Sequence, residues 1–171
     1  MPIDLGSILV DLYPKLLRYA LSQTKSKDAA EDLVMDVIKS MLERQTQFDD
    51  NVNFEAYAIR AVKNRYTDST RYRARNITET EMGLDDKNEN FFSQIADEAS
   101  ETAAFAKIQF KELSNSLVAL GEECLEILTL YGIGNSYKEI AEISDKKIGT
   151  VMSRMSRCRE QLKIKMGEDT Q

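Results

Sequence analysis

A chain of 171 residues with 42% hydrophobic side chains and a formal net charge of −6 has the apolar content to bury a core, as one domain or as two small ones. It contains no histidine, which excludes imidazole acid–base chemistry and the usual histidine-containing zinc sites. No run of about 18 apolar residues exists to span a bilayer, and the opening MPIDLGSILVDL lacks the basic start and cleavage pattern of an export signal, so a cytoplasmic protein without membrane insertion is expected.

Two prolines, seven glycines and long 3.6-residue patterns predict an all-α fold. Residues 3 to 23 place Ile8, Leu9, Leu12, Leu16, Leu17, Ala20 and Leu21 at spacings of three and four, an amphipathic helix with Pro14 as an irregularity inside it. A second helix opens at Asp28, with Glu31 three residues on as a variant cap, and lines up Ala30, Leu33, Val34, Val37, Ile38 and Met41. After the loop from Phe48 to Asn53, a third turns Phe54, Tyr57, Ala58, Ala61 and Val62 inward and runs into a basic stretch. From Asn76 to about Asn90 the pattern fades around Gly83 and two adjacent aspartates, which reads as an extended linker. A further helix is expected between Ser100 and Leu120, on Phe105, Ile108, Leu113, Leu117 and Leu120. Another, Glu122 to Tyr131, closes at the turn Tyr131-Gly132-Ile133-Gly134. Cys124 and Cys158 show no metal-ligand spacing and, in a reducing compartment, read as small core residues.

The most informative stretch is 136–163. Ser136 with Glu139 three residues on makes a capping box, and Ile140, Ala141 and Ile143 form a short apolar face. The polar run Ser144-Asp145-Lys146-Lys147 then predicts a turn. In the helix that follows, Ile148, Val151, Met155, Cys158 and Leu162 share one side and are expected to pack inward. The other side carries Gly149, Ser153, Ser156, Arg157 and Glu160, with Thr150 and Met152 at its edges. Small and hydroxylated residues near a helix N-terminus, backed by arginine, suit close approach to phosphates and base edges. A basic amphipathic helix of this kind is also compatible with a merely solvated face.

Charge is segregated along the chain. Arg60, Lys63, Arg65, Arg71, Arg73 and Arg75 form one positive zone, and Lys146, Lys147, Arg154, Arg157, Arg159, Lys163 and Lys165 another. Between them Glu79, Glu81, Asp85, Asp86, Glu89, Asp97, Glu98 and Glu101 hold much of the negative charge. Local potential, not net charge, decides what binds where.

Three motifs carry a resemblance. Gly149-Thr150-Val151-Met152-Ser153-Arg154-Met155-Ser156-Arg157-Cys158-Arg159 resembles the promoter-reading helix of bacterial sigma factors, and Tyr137-Lys138-Glu139-Ile140-Ala141 resembles the helix before it. Ala30-Glu31-Asp32-Leu33-Val34-Met35-Asp36-Val37 is similar to the polymerase-docking region of extracytoplasmic-function (ECF) sigma factors. The run from Phe54 to Asn64, followed by Asp68 and the arginines, is similar to their promoter-melting segment. The resemblance covers nearly the whole chain, in the family's order.

It implies two small helical domains joined by a flexible acidic linker. Residues 1–75 would form a region 2-like domain that docks on core RNA polymerase and handles the minus-ten element. Residues 76–99 would be the linker, and residues 100–171 a region 4-like helix-turn-helix domain for the minus-thirty-five element. Residue by residue, Asp32, Leu33 and Asp36 would touch polymerase, and Asn64 with the Phe48 to Asn53 loop would handle an extruded base. Arg60, Lys63, Arg65, Arg71 and Arg73 would meet promoter phosphates, with Lys146 and Lys147 adding such contacts in the turn. Thr150, Met152, Ser153, Ser156 and Arg157 would read the upstream element. The implied partners are core RNA polymerase, promoter DNA and an anti-sigma factor. No cofactor, metal site or catalysis is implied: the chain has no phosphate-cradling glycine loop and no nucleophile–base pair.

Plainer readings stand beside these. Tyr57 reads as core more readily than as a stacking platform. Asp32, Asp36 and Asn64 without the family match are ordinary polar surface, and Arg154 and Arg159, flanking the inward stripe, suit pairing with glutamates such as Glu139. The chain also departs from the family: Met35-Asp36 replaces glutamine-glutamate, Gly121 replaces a common proline, and Ser144, Asp145 and Lys146 stand where leucine, glycine and an aliphatic residue are common. The alternatives to a working sigma factor are a sigma-like decoy or adaptor for a regulator and a stand-alone helix-turn-helix regulator.

Overall fold

The computed structural model describes residues 4–49, 51–76, 112–113 and 115–167, the side chain of Asn76 excepted. It divides into two compact units between Asp86 and Lys87, and all regular structure among the described residues is helical. Beyond Asn76, the connector expected at 76–99 lies outside the described residues, as does the start of the helix expected from Ser100; residues 112–113 and 115–118 of that helix are helical.

The first unit is a bundle of three helices. α1 (Leu5–Thr24) starts where the Asp4 carboxylate accepts from the Ser7 amide at 3.2 Å and the Ser7 hydroxyl at 2.6 Å. These bonds, the hydroxyl's foremost, favour the ionised carboxylate and hold Asp4 below the ordinary aspartate value. Pro14 lies inside α1, on its exposed side, so the ring does not disturb the packed face. α2 (Lys27–Glu43) is capped by Ser26, whose side chain accepts from the Ala29 amide. The start therefore falls two residues before the expected Asp28, which sits in the first turn, where its charge suits the helix dipole. A short 3₁₀ turn (Gln45–Gln47) leads to the loop before α3 (Phe54–Asn76).

The core of this unit is built from Leu5, Leu9, Leu16, Tyr19 and Ala20 of α1, Ala30, Val34, Val37 and Met41 of α2, and Ala56, Ala58, Ile59 and Val62 of α3. Full burial of an aliphatic side chain of this size contributes about 1.5–3 kcal/mol. On α3 the expected inward set is corrected at five places: Ala56 and Ile59 are buried, whereas Phe54, Tyr57 and Ala61 are only half-buried. The reason lies in the loop. Phe48 packs edge-on against Phe54 at 5.3 Å and against Tyr57 at 5.1 Å between ring centres, so the aromatics form a lateral cluster instead of entering the bundle. A half-buried ion pair, Lys15 to Glu55, ties α1 to α3.

The second unit packs α4 (Glu122–Gly132), α5 (Tyr137–Ile143) and α6 (Ile148–Lys165) on one another. Ile127, Leu130, Ile140, Ala141, Ile143, Val151, Met155 and Cys158 form its core. α4 ends at a turn in which Gly134 takes φ +102°, a conformation open to glycine. Buried Asn135 donates from both its backbone and its side-chain amide to the Leu130 carbonyl, at 3.1 and 3.0 Å, closing the free end of the helix. α5 begins in the expected capping box: the Ser136 hydroxyl accepts from the Glu139 amide, and the Glu139 carboxylate accepts from the Ser136 amide at 2.7 Å.

Two expectations for this unit are corrected. Ile148 is 49% exposed, because it stands at the first position of α6, ahead of the turn that meets the core. Cys124 and Cys158, read as separate core thiols, are joined by a disulfide. Their Cα atoms lie 5.4 Å apart, within disulfide reach, because the first turn of α4 rests on the inner stripe of α6. In the chain-entropy account, a closed loop with a sequence separation of 34 stabilises the folded unit by about 4 kcal/mol.

Candidate functional site

The surfaces that the sequence singled out fall on three helices. On α2, the buried positions Ala30, Val34, Val37 and Met41 leave the opposite side outward. That side carries Asp32, Asp36 and Glu43, with two exposed apolar residues, Met35 at 55% and Leu42 at 43%. Leu33 is half-buried at the edge of this strip. Apolar side chains framed by carboxylates are what a protein-docking surface needs, since the apolar atoms supply burial and the charges set register. Leu42 was not singled out from the sequence; its signal is an apolar side chain next to inward Met41, about 100° around the helix from it.

On α3, Arg60, Asn64, Arg65, Arg71 and Arg73 are exposed and Lys63 is half-buried. At about 100° per residue, Arg60, Lys63, Asn64 and Arg71 share one side of the helix, and Arg73 does not. Arg65 turns toward α2, where its guanidinium lies 3.8 Å from the Asp36 carboxylate. A residue expected to meet DNA and one expected to meet polymerase thus stand side by side, at the seam between the two helices. In the loop, Asn53 is occupied at the start of α3, where its side-chain oxygen accepts from the Ala56 amide at 3.0 Å. The Asp49 carboxylate accepts from the Asn51 amide at 2.8 Å. Tyr57 belongs to the aromatic cluster with Phe48, in keeping with its reading as a packing residue.

The geometry is most complete on α6. Gly149, Thr150, Met152, Ser153, Ser156, Arg157 and Glu160 are all exposed on the side opposite Val151, Met155 and Cys158. The Ser153 hydroxyl donates to the Thr150 carbonyl at 3.1 Å, and the Arg157 Nε–H to the Ser153 carbonyl at 3.4 Å. These bonds run along the helix itself and leave the rest of the guanidinium outward. No side chain caps the start of α6, so its first amides and its dipole favour an anion there.

The turn before α6 holds despite its unusual residues. Asp145 takes φ +52°, and its amide donates to the Glu142 carbonyl at 3.3 Å while the Lys146 amide donates to the Ala141 carbonyl at 2.9 Å. This is the paired closure that ends many helices on a left-handed residue. Aspartate tolerates that conformation better than most side chains do, which is why the missing glycine does not unmake the turn. Lys147 is exposed, whereas Lys146 is half-buried and 3.6 Å from Glu123.

Two arginines of α6 have structural partners. Arg154 donates to the Glu123 carboxylate at 2.6 Å, so its glutamate comes from α4 and not from α5. The Arg159 guanidinium lies 4.6 Å over the Tyr131 ring, which itself stacks on Tyr137. Glu123 was missed from the sequence, since nothing local to the first turn of α4 marks it as an anchor for both Lys146 and Arg154.

Residues 9–76 match the model of the sigma-70 region 2 family. The first unit, with its three-helix core and the α2 and α3 surfaces just described, is therefore a sigma-70 region 2 domain. The similarity extends further along the chain. It is 27% identical over 150 residues to the ECF RNA polymerase sigma factor EcfG of Rhodopseudomonas palustris (strain TIE-1), spanning 87% of this chain and 77% of that protein. The sigma factor RpoE solved in complex with the anti-sigma factor NepR from Bartonella quintana superposes with a TM-score of 0.66 at 25% identity, over 98% of this chain and 99% of that one. CnrH, solved with the cytosolic domain of CnrY, shares the fold at a TM-score of 0.66 and 18% identity, over 97% of this chain and 89% of that one. With a sigma-70 region 2 domain in its first unit and similarity along most of its length, the chain is similar to the extracytoplasmic-function RNA polymerase sigma factors.

Proposed function

We propose that the chain carries out its sigma-factor role by dividing promoter recognition between its two helical units, residues 1–75 and 100–171, joined by the acidic stretch 76–99. Asp32, Leu33 and Asp36, with exposed Met35 and Leu42, dock on core RNA polymerase. The neighbouring α3 face, with Arg60, Lys63, Asn64 and Arg71, follows the minus-ten element, where unpaired bases need polar pockets beside positive charge. Arg65 and Arg73 extend this cationic surface around the helix toward phosphates. The outward side of α6, with Thr150, Met152, Ser153, Ser156 and Arg157, enters the major groove of the minus-thirty-five element. Lys147 and Lys146 hold the adjacent phosphates, and the uncapped start of α6 receives another.

The observation that carries this reading is the region 2 match over 9–76, which contains both the α2 docking strip and the α3 basic face. The relative solved with NepR supports an anti-sigma factor as a further partner, one that would cover the same surfaces in the resting state. The role is one of binding and positioning in the cytoplasm, with bond-making left to polymerase. Among the described residues no helix is long and apolar enough to cross a membrane. The test is in vitro transcription with purified core polymerase and a genomic promoter library. Transcripts starting downstream of one shared two-part motif are expected. Intact polymerase binding without such transcripts would turn the reading into that of a decoy.

A further inference from the structure

The Cys124–Cys158 pair has no part in the promoter reading, yet it sits behind the helix that does the reading. Cys124 lies in the first turn of α4, half-buried, and Cys158 on the inner stripe of α6 at 1% exposure. The residue before Cys124 is Glu123, which holds Arg154, one turn ahead of Cys158 on α6. Two adjacent residues of α4 thus grip α6 at two points one turn apart, one through an ion pair and one through a covalent bond. The loop closed by the bond contains all of α5, the turn, and Thr150, Met152, Ser153, Ser156 and Arg157. Between the two grips the strengths differ: an exposed ion pair constrains little, whereas a cross-link removes much of the freedom of the loop it closes.

Permanent structural disulfides are rare in a reducing compartment, where such bonds as exist are mostly transient or redox-sensing. We propose that Cys124 and Cys158 form a reversible thiol–disulfide site, oxidised by a small-molecule disulfide, that sets how firmly α6 is held on α4. The placement of the site in the cytoplasm, and its consequence for promoter reading, rest on the sigma-factor function proposed above; the chemistry of the pair does not. Cys124, the accessible partner, attacks first: its thiolate displaces one thiolate from the small disulfide and forms a mixed disulfide. The Cys158 thiolate then attacks the Cys124 sulfur and expels the second small thiolate. Two protein thiols give up two protons and two electrons, and one small disulfide becomes two thiols. Excess small thiol reverses both steps.

The test uses the full chain equilibrated with oxidised and reduced glutathione at rising ratios, then quenched with an alkylating reagent and weighed intact. A monomer lighter by two hydrogens and free of label is expected to accumulate as the ratio rises and to vanish as it falls. Two alkylatable thiols at the highest ratio, stable glutathione adducts or cross-linked dimers as end product would each overturn the proposal. Amide hydrogen exchange across α5 and α6 reads the consequence, with exchange expected to quicken by at least about tenfold on reduction. Equal protection in both states would refute the coupling to α6. Cys124→Ser spares the buried partner and is expected to exchange like the reduced chain at every ratio; protection equal to that of the oxidised chain would count against the cross-link. No polymerase or promoter enters these measurements, so their failure is distinct from failure of the sigma-factor reading.

Discussion

Arg154 and Arg157 are three positions apart on one helix and face different tasks. Arg154 is drawn back to Glu123 on α4, while Arg157 is exposed beside Ser153 and Ser156. On the proposed reading face only the second presents its donors to base edges, so Arg157→Ala should weaken binding to the upstream element by about 1–3 kcal/mol and relax preference at one base position. Arg154→Ala should cost under about 1 kcal/mol of stability, as an exposed ion pair does, and leave promoter preference alone. Fluorescence anisotropy on promoter fragments identified by transcription would measure both effects. An unchanged preference in Arg157→Ala would remove that residue from the reading face.

The turn between α5 and α6 shows how an element survives an unfavourable residue. Left-handed backbone costs a non-glycine residue roughly 1–2 kcal/mol, and Asp145 bears it at φ +52°. The two closing hydrogen bonds to Glu142 and Ala141 and the capping box at the other end of α5 offset that cost. Asp145→Gly should relieve the strain while adding freedom to the unfolded chain, a net stabilisation of about 0.5–1 kcal/mol. Chemical denaturation, followed by a probe in the second unit, would register it. A destabilised variant would mean that the aspartate side chain itself supports the turn.

Considered as a whole molecule, a sigma factor of the kind proposed works only if its two units act on one promoter for one polymerase, and the proposed docking and DNA-binding surfaces meet at the seam between α2 and α3. Asp36 lies beside Arg65 there, so a change on the docking strip is felt by a residue assigned to DNA. Replacing Asp32 and Asp36 together by asparagine should reduce affinity for core polymerase while circular dichroism remains that of a helical protein. The ion pair is exposed and weak, so its loss does not unfold the bundle. Retained polymerase binding would move the docking surface elsewhere on the chain.

The helices, the capping box, the outward set on α6 and the class of the protein were legible in the sequence, because helix periodicity and capping are local and need only neighbours within a few residues. The family motifs were legible for the same reason, each being a short continuous string. What lay beyond the sequence depends on residues far apart along the chain. The sideways packing of Phe48 against Phe54 and Tyr57, the seizure of Lys146 and Arg154 by Glu123, the meeting of Asp36 with Arg65, and the bonding of Cys124 to Cys158 are of this kind. Periodicity fixes which face a residue occupies, but only the packing of one helix on another decides which partner faces it, and that choice turned two apparently ordinary cysteines into a single covalent link.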